Sequence, residues 1–212
     1  MTVYTFTFNH FGENTYLLID DSGSAAIVDP GCLFDEEKQA VLAFLEQHNL
    51  SLKMILFTHC HLDHAFGANF IHEQFPGIPV YGHEAETIFI TDYERQAARF
   101  GLTMEQPPMI TNFLADEQTV SIGNSTLVAL HVPGHSPGSI CYYSKADAFV
   151  IAGDVLFANS IGRTDLLGGN HQQLIASIHA QLMHLPGNTT VYPGHGPTTT
   201  IGAEKQTNPF LR

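Results

Sequence analysis

Polar and apolar positions alternate from the first residues: Tyr4, Phe6 and Phe8 fall on one side of Val3–Phe8, and Thr5 and Thr7 fall between them. A period of two predicts a strand. Thr15–Asp20 and Ala25–Asp29 read as two more, with Gly12 and Ser22-Gly23 marking the turns and Pro30-Gly31 ending the run. The period then lengthens. Asp35 is placed to cap a helix reaching about His48, with Val41, Leu42 and Leu45 on one face. Lys53–Phe57 is a short apolar strand that leads into Thr58–His64. A helix over Ala65–Phe75, a strand at Pro79–Tyr81 and a helix over Ala85–Phe100 follow, the last ended by Gly101 and Pro107-Pro108.

The second half has a similar order. Strands are predicted at Gln118–Ile122, Thr126–Val132, Ile140–Tyr143 and Phe149–Ala152, then a glycine-rich loop from Gly162 to Gly169. Leu174, Ile178, Leu182 and Leu185 are spaced for the core face of a helix from His171 to Leu185, and Thr190–Tyr192 is the last expected strand. No linker or low-complexity tract interrupts the chain, so residues 1–212 are expected to form one domain. Two mixed sheets packed face to face, with helices outside, would bury both halves.

Composition narrows the function. Hydrophobic residues make up 44 % of the chain and charged residues 14 %, a balance that predicts a folded core and not disorder. The formal net charge is −13, and the eight bases (Lys38, Lys53, Arg95, Arg99, Lys145, Arg163, Lys205, Arg212) are scattered. Neither nucleic acid nor an anionic membrane is an expected partner of such a surface. The N-terminal strand lacks the features of a secretory signal, and no apolar run approaches the ~18 residues of a membrane span. Cys32, Cys60 and Cys141 do not form a disulfide framework, so a cytoplasmic location is expected. Thirteen histidines against eight lysines plus arginines raise the prospect of metal.

The densest chemistry is Thr58-His59-Cys60-His61-Leu62-Asp63-His64. In an extended segment His59, His61 and Asp63 would project to one side, and His64 adds a fourth metal-competent group. Cys60 would point away. Four donors in so short a stretch suit two ions. The alternatives are chance surface histidines, or Asp63 as a helix cap. Three more donors follow predicted strands: His135 in Pro133-Gly134-His135-Ser136-Pro137-Gly138, Asp154 in Ala152-Gly153-Asp154, and His195 in Pro193-Gly194-His195-Gly196. Each is weak alone, since a Gly-Asp pair is usually a turn. Together they predict one convergent site.

His-X-His-X-Asp-His, followed by Gly-His-Ser-Pro-Gly, Gly-Asp and Pro-Gly-His-Gly, resembles the metallo-β-lactamase superfamily over most of the chain. The resemblance implies an α/β fold, a four-layer αββα sandwich with two mixed β-sheets. It implies that His59, His61 and His135 hold one divalent ion and Asp63, His64 and His195 a second. Asp154 would bridge the two, with Asp63 and Asp154 the catalytic carboxylates. Two such ions can bind a water, lower its pKa toward ~7 and polarise the bond it attacks, so a bridging hydroxide is the expected nucleophile. Imidazole and carboxylate donors suit zinc, and also iron or manganese.

Ile161-Gly162-Arg163-Thr164-Asp165 and Asn14-Thr15-Tyr16-Leu17 resemble the glyoxalase II group, which hydrolyses glutathione thioesters such as S-lactoylglutathione. That implies a small-molecule thioester partner and a substrate contact from Arg163; the alternative is that Arg163 pairs with Asp165. Thr164 stands where the group carries an aromatic residue. The helical C-terminal domain of full-length glyoxalase II is not expected here. The same stretch resembles the persulfide dioxygenase branch, which uses one iron, and a metal-binding protein without catalysis is a third reading. The oligomeric state stays open, a monomer included. A thioester is favoured chemically, because a thiolate of reference pKa ~8.5 leaves without a general acid.

Overall fold

The computed structural model describes residues 1–104 and 106–212. The opening strands β1 (Thr2–Phe8), β2 (Glu13–Ile19) and β3 (Ser24–Val28) form an antiparallel meander. From β3 the sheet continues through parallel neighbours β4 (Ser51–Leu56), β5 (Val80–Gly82) and β6 (Asn112–Phe113). Parallel pairs need crossovers. These are α1 (Asp35–Gln47) before β4, α2 (Leu62–Ala65) and α3 (Ala68–Gln74) before β5, and α4 (Thr87–Thr91) and α5 (Tyr93–Arg99) before β6.

The second sheet begins with the antiparallel run β7 (Thr119–Ile122), β8 (Ser125–His131), β9 (Ile140–Ser144) and β10 (Phe149–Gly153). A small hairpin, β11 (Leu156–Phe157) and β12 (Ser160–Ile161), and helix α6 (His171–Ser177) lead to β13 (Thr190–Pro193), which lies parallel to β10. Strand β14 (Thr199–Thr200) then pairs with β13, and α7 (Ile201–Thr207) follows.

Alternation along the strands sorts their side chains into layers. Leu17 of β2 joins Ile27, Ile55, Val41 and Leu45 between the first sheet and its helices. Its neighbours Tyr16 and Leu18 turn to the other face, where they meet Ile122, Ala129, Tyr142 and Ile151 of the second sheet. Val150 and Ala152 of β10 face outward again, onto Leu174, Ile178 and Leu182. The layers are helix, sheet, sheet, helix, as both the pattern and the resemblance implied.

Several elements depart from the sequence expectation. Asp35 is the first residue of α1 and does not cap it; Glu37 reaches back to accept the N–H groups of Leu33 at 2.8 Å and Phe34 at 3.1 Å. The helix expected over Ala65–Phe75 breaks at Phe66-Gly67. There the Gly67 N–H bonds Pro30 O at 2.8 Å, and any side chain at 67 would collide with Cys32 Sγ. The helix expected over Ala85–Phe100 divides into a 3₁₀ turn (Glu84–Glu86), α4 and α5, since Thr87-Ile88-Phe89-Ile90-Thr91 is a run of poor helix formers. After Ser177 the helical ladder widens to π turns over Ile178–Leu182, which still bury the expected stripe. Strands β6 and β14 and helix α7 were not anticipated; Thr200 caps α7 by accepting the Ala203 N–H at 3.1 Å.

Candidate metal centre

The four turns singled out by the sequence meet at one end of the sandwich. Thr58–His64 leaves β4 of the first sheet, whereas the turns bearing His135, Asp154 and His195 leave β8, β10 and β13 of the second. The Ile140 N–H donates to Thr58 O at 2.8 Å and ties the sheets together there. The histidine segment is not extended throughout, so the condition under which His59, His61 and Asp63 would project to one side is not met. His61 stands at the start of α2, so Asp63 and His64 project from its first turn, beside and not below His59 and His61. Cys60 turns into the core, where burial pushes its thiol pKa well up, so it is no competing donor.

Three groups of donor atoms result: His59/His61/His135, Asp63/His64/His195, and Asp29/His59/His64, in which Asp29 is already engaged by Thr58. In the first, His135 Nε2 lies 2.9 Å from His61 Nδ1 and 3.3 Å from His59 Nε2. In the second, Asp63 Oδ2 lies 3.2 Å from His195 Nε2 and 3.8 Å from His64 Nε2. Asp154 stands between them, with Oδ1 3.5 Å from His64 Nε2 and Oδ2 3.6 and 3.7 Å from His195 and His135. A tetrahedral ion with bonds of ~2.0–2.2 Å sets its donors roughly 3.3–3.6 Å apart. His64 Nε2 and Asp154 Oδ1, which face each other at 3.5 Å, are buried and have no hydrogen-bond partner among the described residues. Orphaned polar atoms facing one another at this spacing fit cations between them.

The outer nitrogen is anchored in four of the five inward-facing rings; His61 turns Nδ1 toward His135, and its Nε2 has no hydrogen-bond partner among the described residues. His135 Nδ1 donates to Arg163 O at 2.8 Å, and His195 Nδ1 to Phe11 O at 3.1 Å. His64 Nδ1 lies 3.1 Å from Asp29 Oδ2. Thr58 donates its hydroxyl to Asp29 at 2.5 Å, which leaves its oxygen to accept from His59 Nδ1 at 3.0 Å. Each contact fixes the tautomer that presents Nε2 as a lone pair to the centre. The electrostatics divide accordingly. Burial, reinforced by neighbouring imidazoles, depresses His59 far below its usual pKa and His61 to about 3, so these rings are neutral. Burial opposes charge on His64 and His195 too, but Asp63 and Asp154 outweigh it and raise both. A cation entering there displaces protons that the carboxylates already attract.

The supporting residues are mostly ones that motif reading passed over. Asn14 donates its amide to Pro193 O and Gly196 O, and Tyr16 its hydroxyl to Pro193 O at 2.6 Å, so the Asn14-Thr15-Tyr16 segment clamps the His195 turn. Gly194 lacks a side chain because a Cβ there would strike Asp154 Oδ1 and His64. Glu86 is fully buried and accepts the Cys60 N–H and the Gly138 N–H, each at 2.7 Å. It thereby ties the His59/His61 loop to the His135 turn. No local signature marks Glu86, whose partners are 26 and 52 residues away. Glu86→Gln turns one acceptor into a donor facing a backbone N–H, at a cost of about 1–3 kcal/mol. The melting temperature should fall roughly 3–10 °C, and metal should be lost from the His59/His61/His135 group before the other. An unchanged melting point and metal content would refute the clamp.

Beside the donors lies a cleft of about 390 Å³, onto which Asp63, Asp154 and His195 open. Arg163 lines it, but its guanidinium makes two 2.7 Å hydrogen bonds to Asp165. What reaches the centre from this residue is its backbone carbonyl, on His135. His171 is exposed and stands apart from the cleft.

Residues 9–195 match the family model described as the metallo-beta-lactamase superfamily. The hydroxyacylglutathione hydrolase GloC of Haemophilus influenzae is 37 % identical over 208 residues, which span 95 % of this chain and 93 % of GloC. Among solved structures, the BLEG-1 B3 metallo-beta-lactamase shares 39 % identity with a TM-score of 0.90, covering 99 % of both chains. TTHA1623, solved in a di-iron-bound form, shares 36 % identity with a TM-score of 0.87, covering 99 % of this chain and all of its own.

Proposed function

The chain belongs to the metallo-β-lactamase superfamily, and from that premise we propose that it is a two-ion thioester hydrolase of the hydroxyacylglutathione hydrolase type. One observation carries the choice of thioester. Among the described residues, the cleft wall contains no lysine, tyrosine, cysteine or glutamate; its histidines and Asp63 belong to the donor groups, and Asp154 stands between those groups. The remaining acid, Asp92, sits 3.5 Å from Arg95. No side chain is free to protonate a leaving group. A thiolate needs no proton to depart, whereas the amide nitrogen of a β-lactam does. That separates this reading from the lactamase activity of BLEG-1, and the likeness to GloC supports it.

Two divalent ions, when bound, supply a water of lowered pKa and an electrophile for the carbonyl oxygen. His59, His61 and His135 would hold one and Asp63, His64 and His195 the other, with Asp154 shared. The donor set lacks a thiolate and fits zinc, iron or manganese; zinc is proposed. Burial works against charge on Asp63, but His64 and His195 hold its pKa below the usual range. It faces the cleft as an ionised carboxylate, and beside its role as a ligand it would be placed to accept a hydrogen bond from a water held there. No helix among the described residues is long and apolar enough to cross a membrane; a cytoplasmic, small-molecule role is proposed.

Metal analysis of the purified protein, alongside S-lactoylglutathione assays with and without oxygen, tests this reading. Thioester cleavage should continue without oxygen and release one free thiol per turnover. Glutathione persulfide consumed with matching oxygen uptake, and no thioester cleaved, would replace the hydrolase by a dioxygenase.

A further inference from the structure

The cleft that opens on the donor groups has walls unlike its floor. Phe11, from the β1–β2 turn, and Phe100, just after α5, meet edge to face with ring centroids 5.3 Å apart. Leu166 and Leu167, in the glycine-rich loop, also line the cleft. These four side chains remain 41–58 % exposed although they sit side by side on one concavity. A grouped apolar surface of this kind is costly to leave in water and marks a binding site. Two arginines reach the same cleft. Arg163 is engaged by both carboxylate oxygens of Asp165, which cancels most of its field. Arg99, at the end of α5, has no ion-pair partner among the described residues, and its neighbour Arg95 already faces Asp92. In a chain of net charge −13, an uncompensated guanidinium beside an apolar wall is the place for an anionic group.

We propose that the cleft selects thioesters carrying both an apolar arm of several carbons and a carboxylate. The arm lies against Phe11, Phe100, Leu166 and Leu167, and the carboxylate meets Arg99 in preference to Arg163. This deepens the thioesterase reading and rests on it for the reacting group. The selectivity itself is a matter of binding and can be measured without turnover.

Unreactive thioethers serve as probes: S-hexylglutathione, S-methylglutathione and the uncharged N-acetyl-S-hexylcysteamine, titrated calorimetrically into metal-loaded protein. The hexyl conjugate should bind at least roughly tenfold more tightly than the methyl one, because five more methylenes leave water. Phe100→Ala should erase most of that ratio; its side chain is exposed, so the fold is not at stake. Arg99→Ala should weaken S-hexylglutathione roughly tenfold, the lower end for a charge-assisted contact open to water. It should change the uncharged probe less than twofold, and Arg163→Ala should change each probe less than twofold. Equal binding of the hexyl and methyl conjugates overturns the apolar half. A larger loss in Arg163→Ala than in Arg99→Ala overturns the ionic half. Hydrolysis of S-lactoylglutathione by the wild type is read separately: its absence with the binding pattern intact removes the thioesterase and keeps the selectivity, and the reverse removes only the selectivity.

Discussion

Replacing Asp154 by alanine is expected to empty both metal positions and to lower kcat/KM for a thioester by roughly two to four orders of magnitude. Its carboxylate lies within 3.7 Å of His64, His135 and His195, and so reaches members of both donor groups. Burial alone would raise its pKa, yet His64, His135 and His195 hold it well below the usual carboxylate range. The variant would leave those rings, and any cations between them, without the shared counter-charge. Removing one partner from a buried charged cluster typically costs about 3–5 kcal/mol of stability; the rate falls separately, because a site without both ions would lose the water of lowered pKa and the electrophile that they supply. His59→Ala and His135→Ala should differ from it by depleting mainly one position. Metal-to-protein ratios and kcat/KM for the three variants settle the comparison. If Asp154→Ala retained two ions per chain, Asp154 would not be the shared residue.

The candidate donors could be picked out in the sequence because each sits in a local pattern. His59, His61, Asp63 and His64 fall within one short stretch, and His135, Asp154 and His195 each follow a strand in a glycine-bearing turn. Sheet layers were readable for the same reason: Leu17 against Tyr16 and Leu18 is a two-residue period that survives folding. What escaped depends on distance along the chain. Glu86 acts on backbone N–H groups of two remote turns, and the cleft wall joins Phe11 to Phe100 across most of the first half. Arg163 was flagged for its charge, whereas the structure gives its carbonyl the contact with His135, a role any residue type could fill. The broken helix at Gly67 was hidden because its cause is tertiary, a close pass by Cys32, whereas the break at Asp92 follows Thr87–Thr91, a run of poor helix formers that the sequence already displays.

Asp29 is the residue whose loss should most damage the fold and the site together. It ends β3 with φ at +48°, directly before Pro30-Gly31, and only 1 % of its surface is exposed. Its Oδ1 accepts the Thr58 N–H at 2.7 Å, and its Oδ2 accepts the Thr58 hydroxyl at 2.5 Å and faces His64 Nδ1 at 3.1 Å. One side chain thus fixes where β4 turns into the donor segment, orients His64 directly, and orients His59 through Thr58. Asp29→Ala strands three buried donors and should destabilise the metal-free protein by about 3–5 kcal/mol. At ~2–4 °C per kcal/mol for a chain of this size, the melting temperature falls roughly 6–20 °C. Asp29→Asn keeps an acceptor for the Thr58 N–H but sets an NH₂ group against the Thr58 hydroxyl and His64 Nδ1. Its stability loss should be the smaller of the two. His64 must then turn or change tautomer, and affinity at the Asp63/His64/His195 position should drop about 10–100-fold, the usual effect of losing a ligand's supporting partner. Thermal unfolding is measured without metal, because bound ions would mask the difference by mass action; metal titration of the folded protein gives the second quantity. Wild-type metal affinity in Asp29→Asn would mean that His64 does not depend on Asp29 for its orientation, and the anchoring role would fall to Glu13, whose Oε1 lies 4.0 Å from the same ring nitrogen.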